Sequence, residues 1–313
     1  MTLLELCNKT LWPPNRLEDV NSKALNRLKE ILECTNPSKF VFIAYDGVPP
    51  LAKLQHVRKI WFINSKDREK AIISLKQRRQ QKETHNTNNQ DTDSSTLDGL
   101  LFDRNNIAPG TEFMRINCEN VLRYMEEWKV CNSSAKSNQK VDFYCSTSLE
   151  PGEGENKIIN FIRNKDFTKI SAEGDRLIIY SADQDLVMLS AMLDLPLLYI
   201  ELLKKLEVEN VDSCDAELVN INALRRALLD LLIPNSRNSD KFNNIVIECW
   251  VFACYLAGND FIPKIEEFND FFTSLVCITD ALSYYLSLSG RPSLFINNDH
   301  SLNAEEFLEF LKS

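Results

Sequence analysis

The stretch that most constrains the fold is Leu177–Leu189, LIIYSADQDLVML. Its short, continuous apolar run stops abruptly at polar residues, which is typical of a buried strand in a parallel sheet. The residues from Gln184 to Leu193 are apolar at helical spacing, so a helix is predicted directly after the strand. Asp183 and Asp185 are therefore expected at the carboxyl edge of a buried strand, where open α/β sheets bind their ligands.

These two carboxylates have two interpretations. Like charges at one strand edge repel each other, and a divalent metal ion is the usual way to relieve that repulsion. Alternatively, Asp183 caps the following helix and Asp185 is an exposed first-turn acid favoured by the helix dipole. The segment alone does not decide between a metal site and a helix cap.

Strand and helix patterns alternate along the whole chain. This alternation predicts an α/β fold with a mainly parallel central sheet flanked by helices. Further strands are expected at Phe40–Asp46, Val141–Cys145 and Leu197–Ile200. The periodicity predicts helices at residues 17–32, from 53 onward, up to 130, after 154, and at 184–193, 218–232, 245–256, 271–286 and 304–311.

The composition narrows the classes of function. No apolar run approaches the ~20 residues that span a bilayer, so no membrane partner is expected. The nine cysteines form no CxxC pair, which favours reduced thiols in an intracellular protein of the cytoplasm or the nucleus. The three histidines, His56, His85 and His300, are far apart in sequence, which argues against a zinc site or a histidine-based triad.

A basic segment contrasts with the formal net charge of −9. From Lys53 to Lys82 the sequence contains ten Lys or Arg residues and two acids, Asp67 and Glu69. Such a segment is a candidate phosphate-contacting surface. The alternative is a solvated basic helix without a special function, which is the commoner case for a run of charge.

Acidic residues lie at chain breaks beside apolar elements in four separate segments. Each acid alone is more simply a helix cap or a solvated loop residue, but the combination favours a metal site. Carboxylate oxygens are hard ligands suited to Mg²⁺ or Mn²⁺, and two such ions about 4 Å apart can promote phosphodiester hydrolysis without a histidine. The six candidate metal-binding and catalytic residues are Asp46, Glu153, Glu155, Asp183, Asp185 and Asp260.

Five motifs, in this order, resemble the N-terminal nuclease region of the Xrn/Rat-type 5′→3′ exoribonucleases: AYDGVPPLAK, FDRNNIAPGTEFM, PGEGENKI, SADQDLVML and AGNDFIPK. The resemblance covers residues 40–264 and implies the metal-dependent 5′ nuclease (PIN/FEN-like) fold. It also implies that the six acids bind two Mg²⁺ ions. In that family the basic helix after the DGVPP-like motif grips the 5′-monophosphate of single-stranded RNA, which implies this role for Lys53, Arg58 and the nearby Lys59.

The sequence departs from the family pattern at three places. The family's first strand carries a further metal-ligand aspartate, and Leu3–Cys7 matches the stretch that follows it. That aspartate would fall just upstream of Met1, so the chain is expected to lack the first strand. The family has Gln, Arg and Arg where this chain has Val57, Ile60 and Trp61, so most of the expected phosphate pocket is apolar. The second half of the family's catalytic region, including an aromatic residue that stacks on the first base, has no counterpart in this sequence.

These observations predict a single 5′→3′ exonuclease-type domain over residues 1–313, with a disordered polar loop at 83–100 and a helical extension at 264–313. The leading hypothesis is an exoribonuclease that hydrolyses RNA from a 5′-monophosphate end with two metal ions. One alternative is a relative that binds RNA or a protein partner without cleaving. Another is an endonuclease of the same superfamily, which needs no 5′-phosphate pocket. A base-stacking role for Trp61 is a further hypothesis.

Overall fold

Strands and helices alternate along the chain, as the sequence pattern predicts. The structure is a computed structural model, and its two compact units are Met1–Phe161 and Ile162–Ser313. It describes residues 17–83, 103–133, 141–165, 175–181, 183, 185–193, 195, 199–205, 216–234, 239–259, 261–266, 270–288 and 294–312.

The first unit contains two strands and four helices in the part of the chain that is described. A short 3₁₀ turn, Arg104–Asn106, precedes the third helix. In chain order the elements are α1 (Leu17–Thr35), β1 (Phe40–Ala44), α2 (Leu51–Glu83), α3 (Glu112–Ser133), β2 (Asp142–Ser146) and α4 (Gly154–Asn164), across whose last turn the unit boundary falls.

Strands β1 and β2 pair in parallel, from Phe40 opposite Asp142 to Ala44 opposite Ser146. Parallel neighbours need a long crossover connection, which α2 and α3 provide here. The backbone N–H of Tyr45 donates to the Ser146 carbonyl at 2.9 Å and extends the pairing by one residue. Both strands therefore end side by side, and the loops that follow them leave from the same edge.

The core of the first unit lies between α1, α3 and the strands. Its buried apolar residues recur at helical spacing on α1 and α3, as an amphipathic helix requires. They include Val20, Leu32, Phe113, Met114, Val121 and Met125. Aromatic rings also pack against the strands. The Phe161 ring of α4 stacks on the Phe42 ring with 4.2 Å between the ring centres, and the Trp128 ring meets the Phe143 ring edge-on with 5.4 Å between the centres.

A buried polar chain joins β1 to the two core helices. The Tyr45 hydroxyl donates to Asn117 Oδ1 at 3.0 Å, and Asn117 Nδ2 donates to Asn21 Oδ1 at 2.7 Å. Buried polar groups that pair in this way avoid the cost of desolvation. The end of β1 is thus fixed to α1 and α3 immediately before the first candidate acid, Asp46.

The second unit contains three strands and five helices among its described residues. A 3₁₀ turn, Tyr255–Ala257, continues the third of these helices. The elements are β3 (Arg176–Tyr180), α5 (Asp185–Ala191), β4 (Tyr199–Lys205), β5 (Ala216–Asn220), α6 (Ile221–Leu232), α7 (Asp240–Cys254), α8 (Phe271–Leu288) and α9 (Ala304–Lys312).

The strands of the second unit form a sheet in the order β3-β4-β5. β3 and β4 are parallel, whereas β4 and β5 are antiparallel. Helix α7 is buried over most of its length, from Ile245 to Cys254, and packs against α6 and α8. Two of the three strand pairings described in the chain are therefore parallel, and the predicted α/β class is confirmed at this level.

Three boundaries differ from the sequence prediction. Residues 216–220 form a strand rather than the start of the helix predicted at 218–232, because Asn220 caps α6 by accepting from the Ala223 N–H at 2.8 Å. Helix α7 starts at Asp240 rather than 245, since Ser239 caps it. β4 runs to Lys205, beyond the predicted end at Ile200. The loop predicted at 83–100 lies, apart from Glu83, outside the described residues.

Helix α8 is long and apolar enough, by length and composition alone, to cross a membrane, and 22% of its residues are buried. This finding runs against the expectation that no segment of the chain approaches a membrane span. The same test is passed by core helices of water-soluble proteins. One face of α8, with Ile278, Leu282 and Tyr285 buried, packs against α6, α7 and α9.

Candidate active site

The acids of the first unit lie in two loops that are fixed to each other. The Gly47 N–H donates to the Gly152 carbonyl at 2.8 Å, and the Gly152 N–H donates to the Val48 carbonyl at 3.0 Å. The Gly154 N–H donates to Asp46 Oδ1 at 2.7 Å. These three bonds hold the loop of Asp46 against the loop that carries Glu153 and Glu155.

Glycine at position 47 is required by this close approach. A Cβ atom built there would lie 1.7 Å from the Glu150 carbonyl oxygen, which no side chain can occupy. A Cβ at Gly154 would lie 3.1 Å from Asp46 Oδ1 and 3.3 Å from the Ala44 carbonyl oxygen. Glycine at these two positions therefore allows the backbones of the two loops to approach closely.

Lys157 also stabilises these loops. Its Nζ donates to the backbone carbonyls of Tyr45, Thr147 and Glu150 at 2.8, 2.9 and 2.8 Å. Burial lowers the pKa of Lys157, while the charges of Glu150 and Asp46 act in the opposite direction. Lys157 lies four residues after Glu153, one turn into α4, and the sequence pattern alone did not indicate its role.

Glu153 is a buried carboxylate with an unequal environment around its two oxygens. Oε2 accepts from Lys53 Nζ at 2.8 Å, and the two side chains are 7% and 18% exposed. Oε1 is buried and has no hydrogen-bond partner among the described residues. A buried, unpaired carboxylate oxygen is costly, so a cation bound at this atom would relieve an unfavourable environment.

The other two acids of this edge differ in exposure. Glu155 is buried in the first turn of α4, whereas Asp46 is exposed. A bound divalent cation could be reached from solvent on the Asp46 side. The donors are carboxylate oxygens, which is the ligand chemistry that Mg²⁺ and Mn²⁺ prefer.

Asp183 and Asp185 lie in the second unit, after β3, as predicted. The Asp183 N–H donates to Ser181 Oγ at 3.0 Å, and Asp183 Oδ1 accepts from the Asp185 N–H at 3.0 Å. Helix α5 begins at Asp185. Asp183 thus makes a local turn contact with the first residue of the helix rather than a capping bond to the second or third, and Asp185 is half-buried rather than exposed.

The sixth acid, Asp260, lies outside the described residues. Of its neighbours, Asn259 Oδ1 accepts from the N–H groups of Phe261 and Ile262 at 2.9 and 2.8 Å. Gly258 has a φ of +86° and approaches Lys264 so closely that a Cβ would lie 2.6 Å from its side chain. The described residues of the AGNDFIPK motif are therefore held together by contacts of Asn259 and Gly258.

The described acids belong to two groups, one in each unit. Asp46, Glu153 and Glu155 lie on adjoining segments of the first unit, and Asp183 and Asp185 are neighbours in the second. Among the described residues, no group of three His, Cys, Asp or Glu side chains is arranged to hold a metal ion. The first-unit acids nevertheless fit a cation in donor chemistry and in the unpaired Glu153 oxygen.

The basic helix α2 presents its proposed phosphate-binding residues unequally. Lys53 is engaged by Glu153, whereas Arg58 and Lys59 are exposed. The next turn is held in place because Asn105 Nδ2 donates to the Trp61 carbonyl at 3.1 Å and to Ser65 Oγ at 2.9 Å. Trp61 is half-buried. Its neighbour Phe62 is 63% exposed, so the aromatic ring most available on this helix is not the one that the sequence suggested.

Comparison with known proteins gives a consistent picture. The family model described as "XRN 5′-3′ exonuclease N-terminus" matches residues 5–204. The chain is 28% identical to 5′-3′ exoribonuclease 1 of Saccharomyces cerevisiae over 80% of this chain and 16% of the relative. It is 29% identical to 5′-3′ exoribonuclease 1 of Homo sapiens over 91% of this chain and 16% of the relative. It is also similar to 5′-3′ exoribonuclease 2 of Candida glabrata (28% identity, 96% of this chain, 31% of the relative). The chain therefore spans between a sixth and a third of the length of these relatives.

Proposed function

Because the chain belongs to the XRN 5′-3′ exonuclease N-terminus family, we propose that it is a metal-dependent 5′→3′ exoribonuclease. Its substrate would be single-stranded RNA with a 5′-monophosphate, and its products 5′-mononucleotides. The observation that carries the metal dependence is the buried Glu153 Oε1, which lacks a partner among the described residues at an edge where two acidic loops are fastened together. The PIN/FEN-like topology of the family is part of the same proposal.

The residues that would hold two Mg²⁺ or Mn²⁺ ions are the six acids named from the sequence. When bound, such ions activate water and neutralise charge on the phosphate that is cleaved. The chain's own contribution in the first unit is rigidity. Because Gly47, Gly152 and Lys157 fix the loops before any ligand arrives, little ordering is needed when the substrate binds.

Lys53, Arg58 and Lys59 would bind the 5′-phosphate at the start of α2. An ammonium group has three donors, so the bond from Lys53 to Glu153 does not by itself prevent a contact with the phosphate. Arg58 can supply a planar, bidentate contact that a lysine cannot. Val57 and Ile60 contribute no polar group to this pocket.

A second candidate function is supported by the same helix. Lys53 is already neutralised by Glu153, and the apolar positions 57 and 60 weaken the recognition of a 5′-phosphate. These observations favour a catalytically impaired relative that binds RNA or a partner. An endonuclease of the same superfamily is also compatible with them, since it requires no 5′-end pocket.

A nuclease assay separates the three functions. Uniformly labelled RNA that carries a 5′-monophosphate or a 5′-triphosphate is incubated with the chain and Mg²⁺ or Mn²⁺. We expect mononucleotides from the monophosphate substrate, at least tenfold faster than from the triphosphate, and a loss of at least a hundredfold in the double variant Asp183→Asn, Asp185→Asn. The matched control is Asp230→Asn, an exposed acid on α6, which should cleave normally.

The other outcomes are equally specific. Internal cuts that are indifferent to the 5′ group would identify an endonuclease. RNA binding without any cleavage would identify the impaired relative. Cleavage that persists in the double variant would mean that these acids are not catalytic or that a contaminant cuts the RNA.

A further inference from the structure

The long helix α2 continues beyond the residues proposed to bind the 5′-phosphate. One turn after Lys59, four exposed residues follow each other at spacings of three or four, which places them on one face of the helix. They are Phe62, Lys66, Lys70 and Ile73, here called the α2 stripe. Its two apolar members are 63% and 49% exposed, and the side chains of Lys66 and Lys70 are 54% and 77% exposed.

The aromatic ring of the α2 stripe is presented to solvent together with a positive charge. Lys66 Nζ lies 6.0 Å from the centre of the Phe62 ring, at the outer limit of a cation–π contact. The adjacent turn of α2 is held by the bonds from Asn105 to the Trp61 carbonyl and to Ser65 Oγ. The Phe62 ring is therefore not needed to hold the helix in place. A single exposed phenylalanine is common on protein surfaces, so the informative feature is its position between lysines on an extended helix.

Two acids lie among these lysines and must be counted. Lys66 pairs with Glu69 at 3.0 Å and Lys70 pairs with Asp67 at 3.8 Å. All four side chains are more than half exposed. Exposed pairs of this kind contribute little, so a phosphate can compete with them for the lysines.

We propose that the α2 stripe binds the body of single-stranded RNA, with Phe62 stacking on a base and Lys66 and Lys70 contacting phosphates. Aromatic rings interleaved with basic side chains are the usual surface for single strands, because every base has a stackable face. From Phe62 to Ile73 the helix extends about 16 Å at 1.5 Å per residue, so the stripe acts beyond the terminal phosphate. This inference rests on the proposed function only for the identity of the ligand as RNA.

The test measures binding without cleavage and without a 5′-phosphate. The full chain is titrated, in EDTA, against a uridine 20-mer with a 5′-hydroxyl and a 3′ fluorescein, and the fluorescence anisotropy is followed at several salt concentrations. We expect Phe62→Ala to raise Kd about tenfold and to leave its salt dependence unchanged. The double variant Lys66→Ala, Lys70→Ala should raise Kd and reduce the slope of log Kd against log salt by about 1.4, which corresponds to two phosphate contacts on a single strand.

Two control variants match these changes on another surface. Phe272 of α8 is 76% exposed, and Lys312 of α9 is an exposed lysine paired with Glu309 three residues away, as Lys66 is with Glu69. Phe272→Ala and Lys312→Ala should each bind within twofold of the unaltered chain. All five substituted residues are exposed, so circular dichroism should show unchanged folding in every variant.

Three results would overturn the inference. These are a Kd for Phe62→Ala within twofold of the unaltered chain, an unchanged salt slope in the lysine variant, or no binding of the 20-mer by the unaltered chain. The nuclease assay is independent of this one. Absence of cleavage together with the expected binding changes would overturn the proposed function and support RNA binding by the α2 stripe. Cleavage together with unchanged RNA binding by the Phe62→Ala variant would support the proposed function and overturn the inference about the α2 stripe.

Discussion

The carboxylate of Glu153 shows how one ion pair can prepare a site for a cation. Lys53 compensates one of its two buried oxygens at 2.8 Å, and the other lacks a partner among the described residues. A buried carboxylate that loses its cationic partner is strongly destabilising, since its charge is then uncompensated. Lys53 is therefore expected to stabilise the fold in the absence of metal, in addition to any contact with RNA.

Replacing Lys53→Met is expected to lower the free energy of unfolding by about 3 kcal/mol in metal-free buffer. Because the substitution leaves Glu153 buried without its cation, added Mg²⁺ should recover more stability in this variant than in the unaltered chain. Urea unfolding followed by circular dichroism, with and without Mg²⁺, measures both effects.

The control for this substitution lies on the same helix. Lys66 forms an exposed pair with Glu69, so Lys66→Met should change stability by less than about 1 kcal/mol. Equal losses of unfolding free energy in the two variants would show that the Lys53–Glu153 pair stabilises the fold no more than an exposed pair does. A variant Lys53→Met that ignores Mg²⁺ would argue against a cation at Glu153.

The two acidic loops behave as one element because backbone atoms join them. The Gly47 N–H donates to the Gly152 carbonyl and the Gly152 N–H donates to the Val48 carbonyl. Lys157 binds the carbonyls at the end of β1 and in the loop after β2. Asp46 Oδ1 adds one side-chain bond to this framework, whereas backbone atoms and Lys157 supply the others. Damage to the framework should therefore affect catalysis without touching any acid.

The substitution Gly47→Ala tests this coupling. Its methyl group would overlap the Glu150 carbonyl oxygen, at 1.7 Å, so the loops must separate. We expect a loss of roughly 3 kcal/mol or more in unfolding free energy, as for other large steric changes, together with loss of nuclease activity. Thermal unfolding and the assay with 5′-monophosphate RNA check the two parts.

Gly110→Ala is the matched control for this glycine. Gly110 has a φ of +82°, and a Cβ there would meet nothing within 4 Å. The cost should be only the conformational one, about 1–2 kcal/mol, with activity retained. If the two variants lose similar stability, the close approach of the loops is not what position 47 requires.

How far the sequence predicts this arrangement can be seen at individual residues. The strand before Asp46, the turn at Gly152 and the pair Asp183/Asp185 after β3 were predictable, because apolar runs that end on acids have a simple spatial meaning. Lys157 was not, since nothing in a helical lysine shows that its ammonium will meet three carbonyls. β5 was misassigned because Leu218 and Val219 suit a helix or a strand, and pairing with β4 decides between them.

The molecule as a whole divides at Phe161–Ile162 into two compact units, and the sequence gives little warning of it. The boundary falls within α4, and composition does not change there. The single domain predicted for the chain stays a prediction. Each unit carries its own strand pairing and its own candidate acids.

Helix α8 has a length and composition that would also suit a membrane-spanning helix. Its polar side chains are used within the second unit: Trp250 Nε1 donates to Thr279 Oγ1 at 2.9 Å, and the Tyr285 hydroxyl donates to Glu306 at 2.6 Å. Insertion would break these bonds and bury Asp280 near the middle of the helix, which costs about 2.5–3.5 kcal/mol. We therefore expect the full chain to stay at the bottom of a flotation gradient with phosphatidylcholine vesicles. Because packing rather than one charge holds the helix, the Asp280→Leu variant should also stay at the bottom of the gradient. Flotation of the unaltered chain that persists after an alkaline carbonate wash would instead show that α8 enters the bilayer.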